Sequence, residues 1–392
     1  MLKADVAIIG AGAAGSLAAI ILARAGHRVV LIDATHHYRP EFRCEKIDYR
    51  HAEVLSAAGV LDEVTPVGTR YEGIWLARNG RFIENRPLVE YGVDYEVLVN
   101  RLRALLPANV HFVQEKAVGS SAGAHGPIVN LESGESVEAR LTIVASGLNN
   151  GLFEALGLAR HVVSKSHSVS IGFDVEPTNP AGFPFGSLTY YGETPRDRVS
   201  YLTLFPIGSR MRANLFVYRD GSDPWIKDLR LKPEETLFST LPHLKELTGD
   251  FKITGGVKFR PLDLVNTTGF EDKTGLVLVG DAFATACPTS GTGAGKAFRD
   301  VERLARVHVP RWLAQDGPIG PELTAAFYAD PEKRASDMAS RDISLFAKRL
   351  TLDESLSGTL SRWARYVGAR VRAVANNGPW TIATPQAKGF NR

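Results

Sequence analysis

The chain has 392 residues, and its 46 Lys+Arg against 43 Asp+Glu leave a net charge of +3; that length suits about two or three domains. With 44% hydrophobic and 23% charged residues and no recurring Lys/Arg block, it reads as neither a disordered tail nor an electrostatic nucleic-acid binder. Its 2 cysteines, Cys44 and Cys287, are too few for a disulfide framework or a zinc cluster, and no metal is expected.

The apolar stretch from Val6 to Ala23 divides into a strand, a turn and a helix, which argues against a signal peptide or a membrane span. Asp5–Ile9 reads as a short buried strand. Gly10-Ala11-Gly12-Ala13-Ala14-Gly15 reads as a tight turn, and Ser16–Ala25 as a small-residue helix closed by Gly26. Val29–Asp33 is a second strand. The glycines match G-x-G-x-x-G: Gly10 permits the turn, Gly12 lets the backbone approach a pyrophosphate, and Gly15 lets helix and strand pack closely. Ala13 and Ala14, in the turn that leads into this helix, are expected at the cofactor, where the free N–H groups and positive dipole end of the helix start suit phosphate. Asp33, followed by Ala34, ends the second strand where a carboxylate reaches ribose hydroxyls. This unit fits an adenosine diphosphate, and taken alone it does not separate FAD from NAD. No other stretch is long and apolar enough to span a bilayer, so a cytoplasmic location with no membrane partner is expected.

Further along, His36 and His37 are adjacent and lack the spacing of a metal pair. Tyr71–Ala77, with Trp75, reads as a strand, Asp94–Leu106 as a helix, and Leu141–Ala145 as a strand leading into Ser146-Gly147. Between about 165 and 270 the pattern alternates as half-buried strands do, in His167–Phe173, Ser187–Tyr191, Val199–Phe205 and Met211–Tyr218. Pro206–Arg210 reads as a hairpin connection. Glu234 and Glu235 follow Pro233 in the first turn of a helix, where acids suit the dipole without forming an acid–base pair. Leu276–Val279 is an apolar strand. Gly280-Asp281 follows it, then Pro288, Gly291, Gly293 and a helix from about Thr292 to about His308. The tail from about Ala335 to Val374 reads as a packing or dimer-contact helix pair with a solvated charged face. No Gly-x-Ser-x-Gly elbow occurs.

The segment GDAFATACPTSGTGAGKAFRDVERLA resembles the G-D…P-x-x-G-x-G…D…L-A motif of flavoprotein monooxygenases with the p-hydroxybenzoate hydroxylase fold. Arg39–Val60 is similar to the family segment that follows the second strand. The resemblance implies FAD rather than NAD as the resident cofactor. It implies Asp281, beside Gly280, at the flavin ribityl chain, and Pro288, Gly291 and Gly293 alongside the isoalloxazine ring. The helix opened by Thr292 would face the pyrimidine end, where reduced flavin carries negative charge. Arg43 would touch the cofactor, and Gly147 would let the backbone approach it. The chain departs from the family at several positions. Tyr95 stands where an arginine usually introduces the helix, Gly295 where many members have asparagine, and Ser146-Gly147 where an Asp-Gly motif is usual. The last departure leaves the electron donor open among NADPH, NADH and a separate flavin reductase.

The fold implied is α/β, a discontinuous Rossmann-like FAD-binding domain with an inserted, mostly antiparallel β-sheet substrate domain and a C-terminal helical segment. Residues 1–70, 100–165 and 275–330 would form the first, 71–99 and 166–274 the second, and 331–392 the third. The activity implied is monooxygenation of a small aromatic or unsaturated ring by O₂ through a flavin C4a-hydroperoxide, in a monomer or homodimer. A flavin-dependent reductase or halogenase on the same scaffold is the alternative, although the chain has no W-x-W-x-I-P phrase. Candidate bases for a phenol-like substrate are His167, Tyr191, Tyr201 and Tyr218, with Arg210 or Arg212 for a substrate acid.

Overall fold

The structure, a computed structural model, describes residues 1–377; residues 378–392 of the expected C-terminal segment lie outside the described residues. The chain forms two units: Met1–Gly68 with Val93–Lys165 and Asp263–Ile343, and Thr69–Gly92 with Ser166–Leu262 and the chain from Ser344 onward.

The first unit is built on β1 (Leu2–Ile9), α1 (Ala13–Arg24) and β2 (Val29–Asp33). β1 runs parallel to β2 on one side and to β3 (Ser136–Val144) on the other. Val6 to Ile9 are all buried, as expected for a central strand covered on both faces. Val110–Gln114 extends the parallel order beyond β2. β3 has two neighbours along its other edge. Its first half pairs antiparallel with Pro127–Leu131, and its last residues pair parallel with β4 (Leu276–Leu278). This is a 7-stranded sheet whose last parallel strand comes from far down the chain. α1 is buried along nearly its whole circumference, which its run of Ala, Ile and Leu permits. Gly26 follows the helix at φ +90°, a conformation that suits glycine after a C-terminus.

Further helices of this unit include α2 (Tyr49–Ala57), α3 (Tyr95–Ala104) and α4 (Gly293–Arg303). The expected single helix from Thr292 to His308 differs in detail. The α-helix ends at Arg303, Leu304–His308 forms one π-turn, and the chain continues helically to Leu313 through Pro310. Widening the turn before Pro310 removes the clash its ring would make with a regular helix.

The second unit centres on a sheet whose strands lie in the order Phe251–Thr268, Ala159–Pro177, Arg210–Val217, Val199–Ile207, Ser187–Tyr191, Thr69–Arg78 and Arg81–Gly92. Most of the described strand pairs are antiparallel. This agrees with the mostly antiparallel sheet expected; the exception is Ser187–Tyr191, which runs parallel to Thr69–Arg78. The two strands come from distant stretches with no hairpin to reverse one against the other. Phe173, Tyr190, Leu204, Leu215, Leu237 and Phe251 fill the core between this sheet and the short helices Pro224–Leu231 and Pro233–Thr240. The α/β class expected from the sequence holds. The tail forms two helices, α5 (Pro331–Leu352) and α6 (Leu356–Asn377).

Candidate functional site

The glycine turn after β1 has one closed side and one open side. A Cβ built on Gly15 would lie 1.8 Å from the Gly10 carbonyl oxygen, so α1 packs directly on the turn. A Cβ on Gly12 would meet only the Tyr95 hydroxyl, at 3.9 Å. The backbone before α1 is thus bare on the side where a phosphate approaches. No side chain caps α1, and its first turn carries no acid. The Ala13 N–H donates to the Tyr95 phenol oxygen, and Ala14 follows in the same turn. A helix start of this kind is a ready anion site.

Asp33 fastens this turn to β2. Its Oδ2 accepts the Ala11 N–H at 2.8 Å, and its Oδ1 accepts the Thr35 N–H and hydroxyl. Arg103, from α3, pairs with Asp33 at 3.2 Å and donates to the carbonyls of Ala11, Thr35 and His36. The backbone on both sides of Ala34 is therefore fixed. Sequence reading missed Arg103, which the leucine spacing of its helix shows only as one arginine among several.

Arg43, expected at the cofactor, lies among Gly147, Tyr95, Asp281 and Glu41. Its Nη atoms come within 3.7 Å of the Cβ position of Gly147, its guanidinium lies 5.8 Å from the Tyr95 ring centre, and Nη1 is 3.6 Å from Asp281. Nε donates to Glu41 at 2.7 Å. Burial works against its charge, but Tyr95, Asp281 and Glu41 more than offset this and hold it protonated. Gly147 sits at φ +63°, and its carbonyl accepts a 3.0 Å hydrogen bond from Arg160, which stacks on Phe153. Beside it, the Ser146 hydroxyl oxygen is buried with no hydrogen-bond partner in the protein. An orphaned hydroxyl next to the bare turn fits a site shaped for a polar ligand. Tyr95, noted from sequence only as a departure from the family arginine, thus covers the start of α1.

The second glycine cluster is organised around one buried carboxylate. Gly280, at φ +60°, donates its N–H to Asp300 Oδ2 at 2.9 Å. Lys296 Nζ binds the same oxygen at 3.2 Å, Lys333 Nζ binds Oδ1 at 3.1 Å, and both lysines also reach Asp337, at 3.1 and 2.9 Å. Asp300 and Lys333 are fully buried. Burial disfavours the charge on Asp300, yet the two ammonium groups pull its pKa below the ordinary value. Lys296 and Asp300, like Lys333 and Asp337, are one helical turn apart, and the two helices bring the pairs together. The square thereby joins the Gly280–Asp281 turn, α4 and the first half of α5.

Pro288 opens a short turn that ends at Gly291 (φ +63°), and Thr292 and Gly293 start α4 with no side-chain cap and no acid in the first turn. Arg50 donates to the Gly291 carbonyl at 3.2 Å while anchored on Asp48, the cap of α2. The Thr292 hydroxyl bonds those of Ser290 and Ser340. α1 packs along α4. The expected cofactor residues of both clusters therefore gather in the first unit, and the bare Gly12 turn and the orphaned Ser146 hydroxyl fit an extended dinucleotide.

The expected substrate-side residues all lie in the second unit, in separate groups. Tyr191 and Tyr201 are cross-strand partners with ring centres 6.3 Å apart. His167 meets the Tyr218 ring edge-on at 5.9 Å. Burial, helped by the Lys348 ammonium and opposed by a hydrogen bond at the Ser344 backbone, pushes His167 down to about 4. It is neutral near pH 7 and too weak a base to deprotonate a phenol efficiently. Arg212 is buried beside Asp174 at 3.4 Å, and Arg210 pairs with the same carboxylate at 3.2 Å. Both cations are thus committed within the sheet. Glu234 accepts the Ile253 N–H at 2.8 Å, a strap between helix and strand.

The model of the family described as "FAD binding domain" matches residues 3–307. The 3-demethoxyubiquinol 3-hydroxylase of Escherichia coli K12 is 26% identical over 78% of this chain and 79% of its own length. Protein FixC of Salmonella typhi is 27% identical over 43% of this chain, which spans only 42% of that relative. Among solved structures, the p-nitrophenol 4-monooxygenase PnpA from Pseudomonas putida DLL-E4 superposes with a TM-score of 0.75 at 14% identity, covering 97% of this chain and 100% of PnpA. PqsL of Pseudomonas aeruginosa, in complex with 2-aminobenzoylacetate, gives 0.70 at 19% identity, covering 94% of this chain and 99% of that one. Both show a shared fold.

Three outcomes are expected. Gly12→Ala keeps the melting temperature of the FAD-free protein but loses FAD on gel filtration, because its methyl group meets no protein neighbour closely and blocks only the approach to the turn. Lys333→Met leaves two buried or half-buried carboxylates against one cation and loses about 3–5 kcal/mol in urea unfolding; adding Asp337→Leu recovers part of it. His167 is the third case. Its folded pKa of about 4 lies below the unfolded 6.5, so the unfolded chain binds the extra proton between these values. Its contribution to stability is complete above pH 6.5 and is lost as pH falls toward 4. In thermal melts across that window His167→Gln should show a flatter decline than the parent; equal slopes would refute the assignment.

Proposed function

The chain belongs to the FAD binding domain family, and on that basis we propose that it is an FAD-dependent monooxygenase that places one oxygen atom of O₂ on an electron-rich aromatic ring. The observation that carries the cofactor reading is the bare backbone at Gly12 before an uncapped helix, in the same unit as a second uncapped helix start at Gly293. The hydroxylase reading draws support from the Escherichia coli hydroxylase matched over most of both chains. When bound, FAD would supply the two-electron chemistry with dioxygen that side chains lack.

The roles proposed for the residues are those that the resemblance implies, and their surroundings are compatible with them. Gly12 would admit the pyrophosphate, and the positive end of α1, with the Ala14 N–H, would help to neutralise it, the Ala13 N–H being held by Tyr95. Arg43 adds a full positive charge beside it. Asp33 holds the turn in place and offers ribose hydroxyls what remains of its oxygen surface. Asp281, between Arg43 and Arg160, takes the ribityl hydroxyls. Pro288 to Gly293 would lie along the ring, and the start of α4 would stabilise negative charge at its pyrimidine end. Two electrons from NADPH, NADH or a separate reductase balance the reaction, in which the second oxygen atom leaves as water. Ser146 in place of an acidic residue favours the separate reductase, because the position lacks the carboxylate that serves both cofactor and nicotinamide in the resembling enzymes.

The test is anaerobic reduction of the FAD-loaded protein with NADH, NADPH and dithionite, followed by mixing with O₂ and phenol- or quinol-type rings. Substrate-dependent O₂ uptake with incorporation of one labelled oxygen atom is expected. Reduction of the ring without O₂ uptake would replace the monooxygenase by a reductase. Bleaching by either nicotinamide alone would remove the need for a separate reductase.

A further inference from the structure

His51 is a buried polar side chain to which no role has fallen so far. It is the third residue of α2 and only 4% exposed. Its Nδ1 accepts the Asp48 N–H at 3.0 Å, and the Asp48 carboxylate accepts the His51 N–H in return, which completes a capping box. A ring nitrogen that accepts this bond carries no proton, so the proton sits on Nε2. Asp48 Oδ1 is also 3.0 Å from Nδ1 and would hold a protonated ring in the same place. Nε2 is a donor in both states. That donor is shut off from solvent, and no group among the described residues accepts it. Buried donors without an acceptor are rare and costly.

The direction of the ring says where an acceptor would come from. The imidazole meets Phe298 of α4 edge-on, with ring centres 5.7 Å apart. Nε2 lies 3.8 Å from the Cβ position of Gly295, the third residue of α4. Many members of the resembling family have asparagine at this position, and a carboxamide there would reach Nε2 and answer it. Glycine leaves the donor without that partner, beside the first turn of a helix that has no side-chain cap and no acid. All of these residues belong to the first unit. The start of α4 is also where the proposed function puts the pyrimidine end of FAD, whose carbonyl oxygens are hydrogen-bond acceptors.

We propose that His51 is a cofactor-binding residue whose Nε2–H donates to a pyrimidine carbonyl of FAD at the start of α4. The inference rests on the cofactor reading above and adds a residue that neither the glycine spacing nor the family resemblance marks. Two-electron reduction places negative charge on the pyrimidine end. A fixed donor there holds reduced FAD more tightly than oxidised FAD and so raises its potential.

Two variants of the full-length, FAD-loaded protein test this. In His51→Gln the glutamine stands at the third helical position, where its side chain can still bond back to the Asp48 N–H and keep α2 capped. Engaged there, it no longer presents a donor to the start of α4. A residue that only capped the helix would be replaced without loss. The FAD-free variant should melt close to the parent, while its dissociation constant for FAD rises about tenfold. Its midpoint potential should fall by about 30 mV, a tenfold loss of preference for reduced over oxidised FAD in a two-electron couple. The infrared carbonyl bands of bound FAD should move to higher frequency. Gly295→Asn keeps His51 but offers Nε2 a partner inside the protein, so it should move the potential and the bands in the same direction. It carries the test if His51→Gln does not fold. Parent values of potential and carbonyl bands in His51→Gln, or in Gly295→Asn should the first not fold, would overturn the proposal and leave the cofactor reading standing. Failure of the parent itself to bind FAD would overturn both.

Discussion

Asp300 is a carboxylate removed from water, and such a group is stable only when its charge is answered at short range. Two ammonium groups and one backbone N–H do this, from α4, from α5 and from the turn after β4. The answer is geometrically exacting. A lysine displaced by a few ångström would leave one charge in a medium where an unpaired ion costs several kcal/mol. The turn that carries Asp281, the start of α4 and the first half of α5 therefore hold fixed positions relative to one another. Phe283 and Tyr328 line the same pocket, with Lys333 Nζ 4.1 and 5.4 Å from their ring centres. The aromatic faces supply part of the attraction that water would otherwise give the ammonium.

The same logic runs at lower burial through the first glycine turn. Arg103 closes the loop between Asp33 and the carbonyls of Ala11, Thr35 and His36, while Arg43 stands between Glu41, Tyr95 and Asp281. Guanidinium groups suit these places because a planar fork can satisfy several oxygens at once, where an ammonium would serve as a point charge. Each arginine is oriented before any ligand arrives, which lowers the ordering cost of binding.

Much of this was legible in the sequence, for a local reason. The tasks of Gly10, Gly12, Gly15 and Gly280 are set by backbone conformation and close approach within a few residues, and glycine spacing records such demands directly. The alternation of His167–Phe173 or Val199–Phe205 records a half-buried sheet in the same way. The partnerships were not legible. Lys296–Asp300 and Lys333–Asp337 each look like an ordinary exposed helical pair, and only packing reveals that they share one buried site. Arg212 looked available to a substrate acid because Asp174 lies on the neighbouring strand, far away in sequence. His167 had the right chemistry for a base, but burial lowers its pKa, and so does Lys348, contributed by a helix near the end of the described chain. The parallel pairing of Ser187–Tyr191 with Thr69–Arg78 is likewise a property of topology, and alternation reads the same for either direction.

The edge of β3 carries a consequence for how the protein is made. Its first half pairs with Pro127–Leu131, a neighbour close in the chain, while Thr142 to Val144 wait for Leu276–Leu278. During synthesis the ribosome must deliver the whole intervening stretch before that half-edge closes. The lysine that completes the Asp300 square, Lys333, emerges later still. The first unit thus spends a period with an open parallel edge and then one with Asp300 answered by Lys296 alone, a high-contact-order arrangement that folds slowly and attracts stray strands. In the inserted sheet of the second unit, half of the neighbouring pairs join consecutive strands, Thr69–Arg78 with Arg81–Gly92, Ser187–Tyr191 with Val199–Ile207 and Val199–Ile207 with Arg210–Val217, and these can form meanwhile.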